Sequence, residues 1–497
     1  MKIKTRFAPS PTGMLHVGGL RTALFGYLFA KKHGGTFMLR IEDTDRERFV
    51  EGGTENMISS LQWAGITIEE GVSMNEKGDV IQKGDLGPYI QSERLPIYQK
   101  YIAELLDKGH VYHCFCTKER LAEVREYQEK NKLPTGYDGK CRDLSRTESE
   151  ERISRGEGFV IRMKMPKEGV TIIDDVIRGR VEFKNALVDD QVLIKADGFP
   201  TYHFALVVDD HTMEVTHVTR SEEWLPSTPK HVELYKMFGW EAPQFAHLSL
   251  LVNEKKQKLS KRHGDVSVTD FKEKGYLPEA LINFVAFLGW NPGTEQEIFS
   301  LSDLEKVFDF DKVSKAAAVF NVEKLDWYNK QYMMAMDTVE LAKRVAPFML
   351  NHGLIKQLPQ TEKELEDLAK IIQLEKGRAA TVAEFPQALG FIFASELSYD
   401  SELLVWKKST KEDSRDKLQL LHDYLASKDE NEWGREQLEV DTMAWIKDRG
   451  FGVGDVLWPM RVSLSGQKNS PGPFEIASVL GKLRSIERIK VGITRLA

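Results

Sequence analysis

In the stretch RFAPSPTGMLHVGGLRTALF, residues 6–25, Pro9, Pro11, Gly13, Gly18 and Gly19 surround His16 just ahead of a segment patterned as a helix. A Pro- and Gly-rich turn between strand and helix presents backbone N–H groups at the positive end of the helix dipole, which suits phosphate. Gly18 and Gly19 let a flat or charged ligand approach the backbone. His16 taken alone has three readings: a helix N-terminal hydrogen-bonding group, a plain surface residue or a catalytic contact. Far downstream, NEKKQKLSKRHGD (253–265) gathers Lys255, Lys256, Lys258, Lys261 and Arg262. By composition this is a solvated charge run; joined to the early His-containing turn, it can clamp a triphosphate. The chain's three cysteines, Cys114, Cys116 and Cys141, fall within 28 positions of one another and cannot form a disulfide framework. A metal cluster and three reduced thiols are the two readings of that spacing.

These groups need a scaffold. Residues 2–8 read as a strand, 20–33 as a helix with Leu20, Ala23, Leu24, Tyr27 and Leu28 on one face, and 36–42 as a second strand. Strands alternating with helices favour a parallel α/β sheet with ligands at the carboxyl ends of its strands, where Ser10 and Glu42 would sit. Helices follow at 51–64 and 95–108. Between 159 and 198 the runs FVIRMKM, VTIIDDVI, RVEFKN and QVLIKADG read as an α+β insertion that splits the first domain. The run FPTYHFALVVDD (199–210) reads as a long buried strand, and a helix near 227–238 resumes the α/β pattern. From about 265 the chain is helical, with Asn291-Pro292-Gly293 as a turn and Gly-rich punctuation between 450 and 473.

A chain of 497 residues exceeds one hydrophobic core, so roughly three to five domains or subdomains are expected. The net charge of −7 shows no global basic excess, so any nucleic-acid surface is local. No apolar run approaches a membrane span and MKIKTRF does not read as a signal peptide, which points to a cytoplasmic protein without membrane contact.

The motif PSPTGMLHVGG is similar to the His-Ile-Gly-His signature, and KLSKR to the Lys-Met-Ser-Lys-Ser signature, of class I aminoacyl-tRNA synthetases. With LRIEDTD (39–45), FPTYHFA and SPGPFEIASVLGK (470–482), the whole chain resembles bacterial glutamyl-tRNA synthetases. The resemblance implies a Rossmann-type catalytic domain split by an α+β insertion, then an all-α anticodon-binding domain. The implied divisions are 1–110 and 199–250 for the two catalytic halves, 111–198 for an acceptor-stem-binding insertion, 251–325 for the KLSKR loop with stem-contact helices, and 326–497 for the anticodon-binding part. It implies ATP-dependent activation of L-glutamate with Mg²⁺, then transfer to the terminal ribose 2′-hydroxyl of tRNA-Glu, with tRNA-Gln as a further acceptor left open. Neither step needs a protein nucleophile, so the residues position reactants and stabilise charge on the phosphates.

By the same resemblance His16, Lys258 and Lys261 are the catalytic candidates. Pro9, Ser10, Thr12, Gly13, Gly18, Gly19, Leu259, Ser260 and Arg262 join them around ATP. Arg6 and Arg220 are candidates for the two glutamate carboxylates, since guanidinium forks pair bidentately with carboxylates. Glu42 is the candidate for the ammonium group, with Ala8, Ser10 and Tyr202 lining the pocket, and Leu206 stands where some family members have a polar residue. Zinc in the insertion would use Cys114, Cys116 and Cys141, with Asp143 in the place of the family's histidine and Tyr137 as another possible donor. Arg378, in LEKGRAAT, is the anticodon candidate. No oligomerisation stripe is evident, so a monomer is expected. The rival readings are a glutamine-specific relative and a non-catalytic tRNA-binding paralogue.

Overall fold

A computed structural model describes residues 2–45, 48–259 and 267–497. Ser260, Lys261 and Arg262, three of the expected ATP contacts, lie outside the described residues. The chain forms two compact units: Met1–Lys272 with Pro278–Leu325, and Glu273–Leu277 with Asp326–Ala497.

In chain order the strands are β1 (Lys4–Phe7), β2 (Thr36–Leu39), β3 (Glu70–Met74), β4 (Val80–Lys83), β5 (Val111–Cys114), β6 (Val160–Met163), β7 (Val170–Asp175), β8 (Gly179–Lys184), β9 (Val192–Ile194), β10 (His217–Ser221), β11 (Gln244–Leu248), β12 (Leu251–Val252) and β13 (Ala318–Val319). The main sheet of the first unit runs β4-β3-β2-β1-β10-β11-β7-β8. Its six inner strands pair in parallel, and β4 and β8 close the edges as antiparallel partners. β1 has β2 on one side and β10 on the other, so strand order reverses there. In such sheets the crevice at the carboxyl ends of the reversing strands is the natural ligand site.

The helix Val17–Lys32 follows β1, and the expected face of Leu20, Ala23, Leu24, Tyr27 and Leu28 is buried. Phe25 and Phe29 on its other side are buried too, Phe25 against Phe308 and Phe29 against Phe310, so this helix is enclosed rather than amphipathic. Two expectations differ from the structure. Residues 199–210, read as a strand, fold as the helix Tyr202–Thr212 after Thr201 in extended conformation. Phe204 through Asp210 are all buried, and an apolar run enclosed on every side carries no periodicity to tell helix from strand. Residues 170–184, read as insertion, are β7 and β8 of the main sheet, with Phe245 of β11 opposite Asp175. The remaining strands of that region, β5, β6 and β9, make a small antiparallel sheet of their own.

The second unit is helical, from Thr338–Asn351 to Pro473–Leu496, as expected of the last third. The last helix changes direction at Gly481, where φ is 75°. Its buried Arg488 donates to the carbonyls of Leu464 at 2.6 Å and Phe391 at 2.7 Å, fastening it to two helix ends. Among the described residues no helix is long and apolar enough to cross a membrane.

Candidate active site

Two cavities open at the carboxyl ends of β1 and β10. The larger, about 1000 Å³, is lined by Arg6, Ala8, Ser10, Glu42, Tyr202 and Arg220, among others, which gathers every residue expected around the amino acid. Thr12 and Leu206 line it as well, Leu206 as a buried apolar wall. The smaller, about 410 Å³, brings His16, Gly18 and Gly19 opposite Lys258 and Leu259. Thr22 and Trp224 line both cavities, so the two adjoin. Pro9 and Gly13 line neither; the Pro9 carbonyl accepts the Glu42 N–H at 2.9 Å and holds the ends of two strands together. Ser10 and Thr12, expected near ATP, face the larger cavity.

His16 is the N-cap of its helix, and its Nδ1 accepts the Gly19 N–H at 3.0 Å. A neutral imidazole whose Nδ1 accepts carries its proton on Nε2, so the cap and an anion-donating ring are compatible readings. A Cβ on Gly18 would stand 3.1 Å from the His16 ring, so glycine admits this folded-back ring. Across the cavity, Leu259 donates its N–H to the Leu251 carbonyl at 2.9 Å, and Asn253 Oδ1 accepts the Gln257 N–H at 2.9 Å. This hairpin carries Lys258 to the cavity, where its ammonium pairs with Glu223. Arg21 lines the same wall, held by the carbonyls of Ser249 and Leu288, and burial pushes its guanidinium down to about 10.

The two buried arginines of the larger cavity, Arg6 and Arg220, differ in their partners. Arg6 donates Nε and Nη2 to the two oxygens of Asp210 at 3.1 and 3.3 Å. Asp210 also accepts Arg40 Nη1 at 2.7 Å, and Arg40 Nη2 reaches Glu42 at 2.9 Å. The neighbouring Asp209 takes Arg94 Nε at 2.7 Å, Gln91 at 2.8 Å and the Tyr98 hydroxyl at 2.9 Å. Three arginines thus meet three carboxylates in one buried network. Burial pushes the Glu42 and Asp209 carboxyls up; for Asp210 the burial is outweighed by Arg6 and Arg40, which hold it below the usual carboxylate value. Arg220 is only 5% exposed, and among the described residues no carboxylate pairs with it. It donates to His247 Nε2 at 3.0 Å, the Tyr202 hydroxyl at 3.2 Å, Thr228 Oγ1 at 2.8 Å and His231 Nδ1 at 3.2 Å.

Sequence reasoning missed Arg40, Arg94, Asp209, Asp210, His231 and His247. The Asp209-Asp210 doublet closing an apolar run was the available signal, because adjacent buried carboxylates require cations from elsewhere in the chain.

In the insertion the sulfurs of Cys114, Cys116 and Cys141 lie within 4.8 Å of one another. Asp143 does not join them: its side chain is 89% exposed and its nearest cation, Lys164, is 3.9 Å away. The Tyr137 hydroxyl does, at 3.4 Å from Cys114 Sγ and 3.6 Å from Cys116 Sγ, while accepting the Cys141 N–H at 2.8 Å. In the helical unit Arg378 sits in the turn after the helix Glu362–Gln373 and pairs with Glu375 at 3.2 Å. A cavity of about 580 Å³ lies on the same helix, between Lys370, Arg435 and Glu475.

Residues 2–327 match the family of tRNA synthetases class I (E and Q), catalytic domain, and residues 340–493 match an anticodon binding domain. The chain is 45% identical over 501 residues to a glutamate–tRNA ligase of Clostridioides difficile (strain 630), covering 98% of each. It is 45% identical over 491 residues to the glutamate–tRNA ligase of Alkaliphilus metalliredigens (strain QYMF), again covering 98% of each. The crystal structure of a glutamate tRNA ligase from Elizabethkingia meningosepticum in complex with its amino acid superposes with a TM-score of 0.88, at 37% identity and full coverage of both chains.

Proposed function

The chain belongs to the bacterial glutamate–tRNA ligases, class I tRNA synthetases of the glutamate and glutamine type, and on that premise we propose that the larger cavity holds L-glutamate and the smaller one ATP. One observation carries the assignment: Arg220, buried and without a carboxylate partner among the described residues, faces the larger cavity. A buried cation without a counter-charge is costly unless a ligand supplies one, and glutamate's side-chain carboxylate does so, with the Tyr202 hydroxyl beside it. Glu42, fixed by Arg40, accepts from the amino acid's ammonium group, and Ser10 adds a hydroxyl. The α-carboxylate is then directed to the adjoining cavity, where Thr22 and Trp224 form the shared wall.

There the α-carboxylate oxygen attacks the α-phosphorus of ATP, and the bond to the bridging oxygen of pyrophosphate breaks. Mg²⁺ bound to the nucleotide would offset part of the charge on its phosphates. His16, donating from Nε2, and Lys258 stabilise the charge that gathers on the phosphate oxygens, and Lys261 is assigned to the same task by the family motif. The terminal ribose 2′-hydroxyl of tRNA-Glu next takes the glutamyl group and AMP leaves. Arg378 is assigned to the anticodon, and the protein acts as a cytoplasmic monomer.

For zinc, the three cysteine sulfurs supply the thiolates on which closed structural sites are built, and the Tyr137 hydroxyl stands beside them as a fourth donor. Cys114, Cys116, Cys141 and Tyr137 would hold the ion, which would brace the insertion rather than act on substrate.

The test is ATP-dependent aminoacylation of purified tRNA isoacceptors with glutamate and with glutamine, using wild type, Arg220→Leu and Lys261→Ala. Glutamate charging of tRNA-Glu, lost in both variants, supports the proposal. A folded wild type that binds tRNA and charges nothing makes the chain a non-catalytic paralogue.

A further inference from the structure

Of the three arginines lining the larger cavity, Arg48 pairs with Asp45 near the surface, and the two buried ones, Arg6 and Arg220, are held in opposite ways. Arg6 has a carboxylate across two of its nitrogens, whereas all four acceptors around Arg220 are uncharged groups. Arginine is a donor only, so His231 Nδ1 and His247 Nε2 must both be acceptors, and the tautomers follow. His231 then carries its proton on Nε2 and donates it to His203 Nδ1 at 2.9 Å. His247 carries its proton on Nδ1 and donates it to Asp175 Oδ2 at 2.6 Å. Burial pushes both imidazoles toward the neutral form, His231 well below the usual histidine value. Asp175, the carboxylate behind His247, is kept one ring away: it accepts the N–H groups of Ile177 at 3.0 Å, Arg178 at 2.7 Å and His247 at 3.1 Å besides the imidazole. Four of Arg220's five N–H groups are fixed by this cage, which leaves one hydrogen on Nη1, beside Tyr202 on the cavity wall.

We infer that His231, His247 and Thr228 are positioning residues that set the preference for a side-chain carboxylate over an amide: they fix Arg220 through uncharged acceptors, so that its charge is met by the ligand. The inference rests on reading this cavity as the glutamate site. A carboxylate in place of any of the three would hold the guanidinium as firmly in the same place. It would also satisfy the charge before substrate arrives, and glutamate would then gain little over glutamine, whose amide brings only a dipole. Geometry alone would therefore not select glutamate; the absence of charge in the cage does.

Asn and Asp place an oxygen near the position of a histidine Nδ1 and differ chiefly in charge, so His231→Asn and His231→Asp isolate the effect. Aminoacylation of tRNA-Glu by the full chain is measured with glutamate and with glutamine, giving KM and kcat for each. The expected result is a glutamate KM within about threefold of wild type for His231→Asn, and a rise of about ten- to a hundredfold for His231→Asp, the range of a charge-assisted hydrogen bond. In His231→Asp the glutamate-to-glutamine ratio of kcat/KM falls by the same order, with kcat for glutamate changed far less than KM. Equal KM values and equal ratios in the two variants overturn the inference. Thr228→Asn and Thr228→Asp make the same comparison from the other side of Arg220, and decide it by the same criteria should the His231 variants fail to fold. Wild type that charges no tRNA with glutamate refutes the functional reading itself, a result separate from any difference between Asn and Asp.

Discussion

Asp210 is the carboxylate that ties Arg6, on the wall of the larger cavity, to Arg40, which fixes Glu42 on the same wall, and Asp210→Asn tests that tie. Its Oδ1 accepts from Arg6 Nε at 3.1 Å and Arg40 Nη1 at 2.7 Å, and its Oδ2 from Arg6 Nη2 at 3.3 Å. Both arginines and the aspartate are almost wholly buried. Replacing the carboxylate by an amide leaves three guanidinium groups facing two carboxylates and turns an N–H₂ group toward one of the donors. Breaking a buried pair in this way costs about 3–5 kcal/mol. At about 2 °C per kcal/mol for a unit of this size, thermal unfolding of the catalytic unit should begin about 6–10 °C lower. Asp210 is held below its unfolded value of 3.8, so its contribution is full above that value and is lost only as pH falls through the folded pKa. Asp210's own titration therefore adds no pH dependence to the gap between wild type and variant from about pH 5 to 8. Because Arg40 also fixes Glu42, the glutamate KM should rise as well. The assay is differential scanning calorimetry across that pH range, paired with aminoacylation kinetics. A variant that melts within about 2 °C of wild type would refute the charge-balanced network, since that is the effect of a single surface-grade pair.

His203 is pushed down to about 3 by burial, helped by Lys230 and Arg220. Its folded pKa lies below the unfolded 6.5, so the unfolded chain takes up the proton first and stability falls as pH drops from about 6.5; unfolding midpoints of His203→Gln should fall less steeply between pH 7 and 5, by at most about 1.4 kcal/mol per pH unit. Cys141→Ser should lose bound zinc on elemental analysis of the purified protein and Tyr137→Phe should weaken it, while Asp143→Asn, changed on an exposed side chain, keeps the wild-type metal content. Lys258 is 57% exposed and pairs only with Glu223 among the described residues, so Lys258→Ala should leave the melting temperature within about 1–2 °C of wild type and lower kcat by about 10²–10³. An unchanged kcat would remove Lys258 from the phosphate site.

What could be read from the sequence is what lies close together in the chain. The His16 turn, its glycines and the helix after it fall within 25 residues, so a turn suited to an anion is visible in local backbone geometry, while the role of His16 itself needs the distant KLSKR loop and the family resemblance. Cys114 and Cys116 are likewise local, and β5 and the segment that follows carry them to Cys141. The fourth group at that cluster was legible only as a choice between Tyr137 and Asp143. The structure brings Tyr137 in because its hydroxyl accepts the Cys141 N–H; Asp143 lies two residues beyond Cys141 with its side chain in solvent.

The charge network was hidden by one mistaken element. In a strand adjacent side chains point to opposite faces, so a strand through 199–210 would have sent Asp209 and Asp210 to two separate surfaces with no cation in common. In a helix adjacent residues stand about 100° apart, and that angle lets one arginine touch both: Arg40 lies 2.7 Å from Asp210 through Nη1 and 3.7 Å from Asp209 through Nε. The rest of the doublet's surroundings then divides by direction, Asp209 toward Arg94, Gln91 and Tyr98, Asp210 toward Arg6. Its cations come from positions 6, 40 and 94, more than a hundred residues away along the chain, and no local pattern links them. The same helix places Tyr202 at its start, beside Arg220, with His203 next to His231. One helix therefore carries both the carboxylate that pairs with Arg6 and the hydroxyl that meets Arg220.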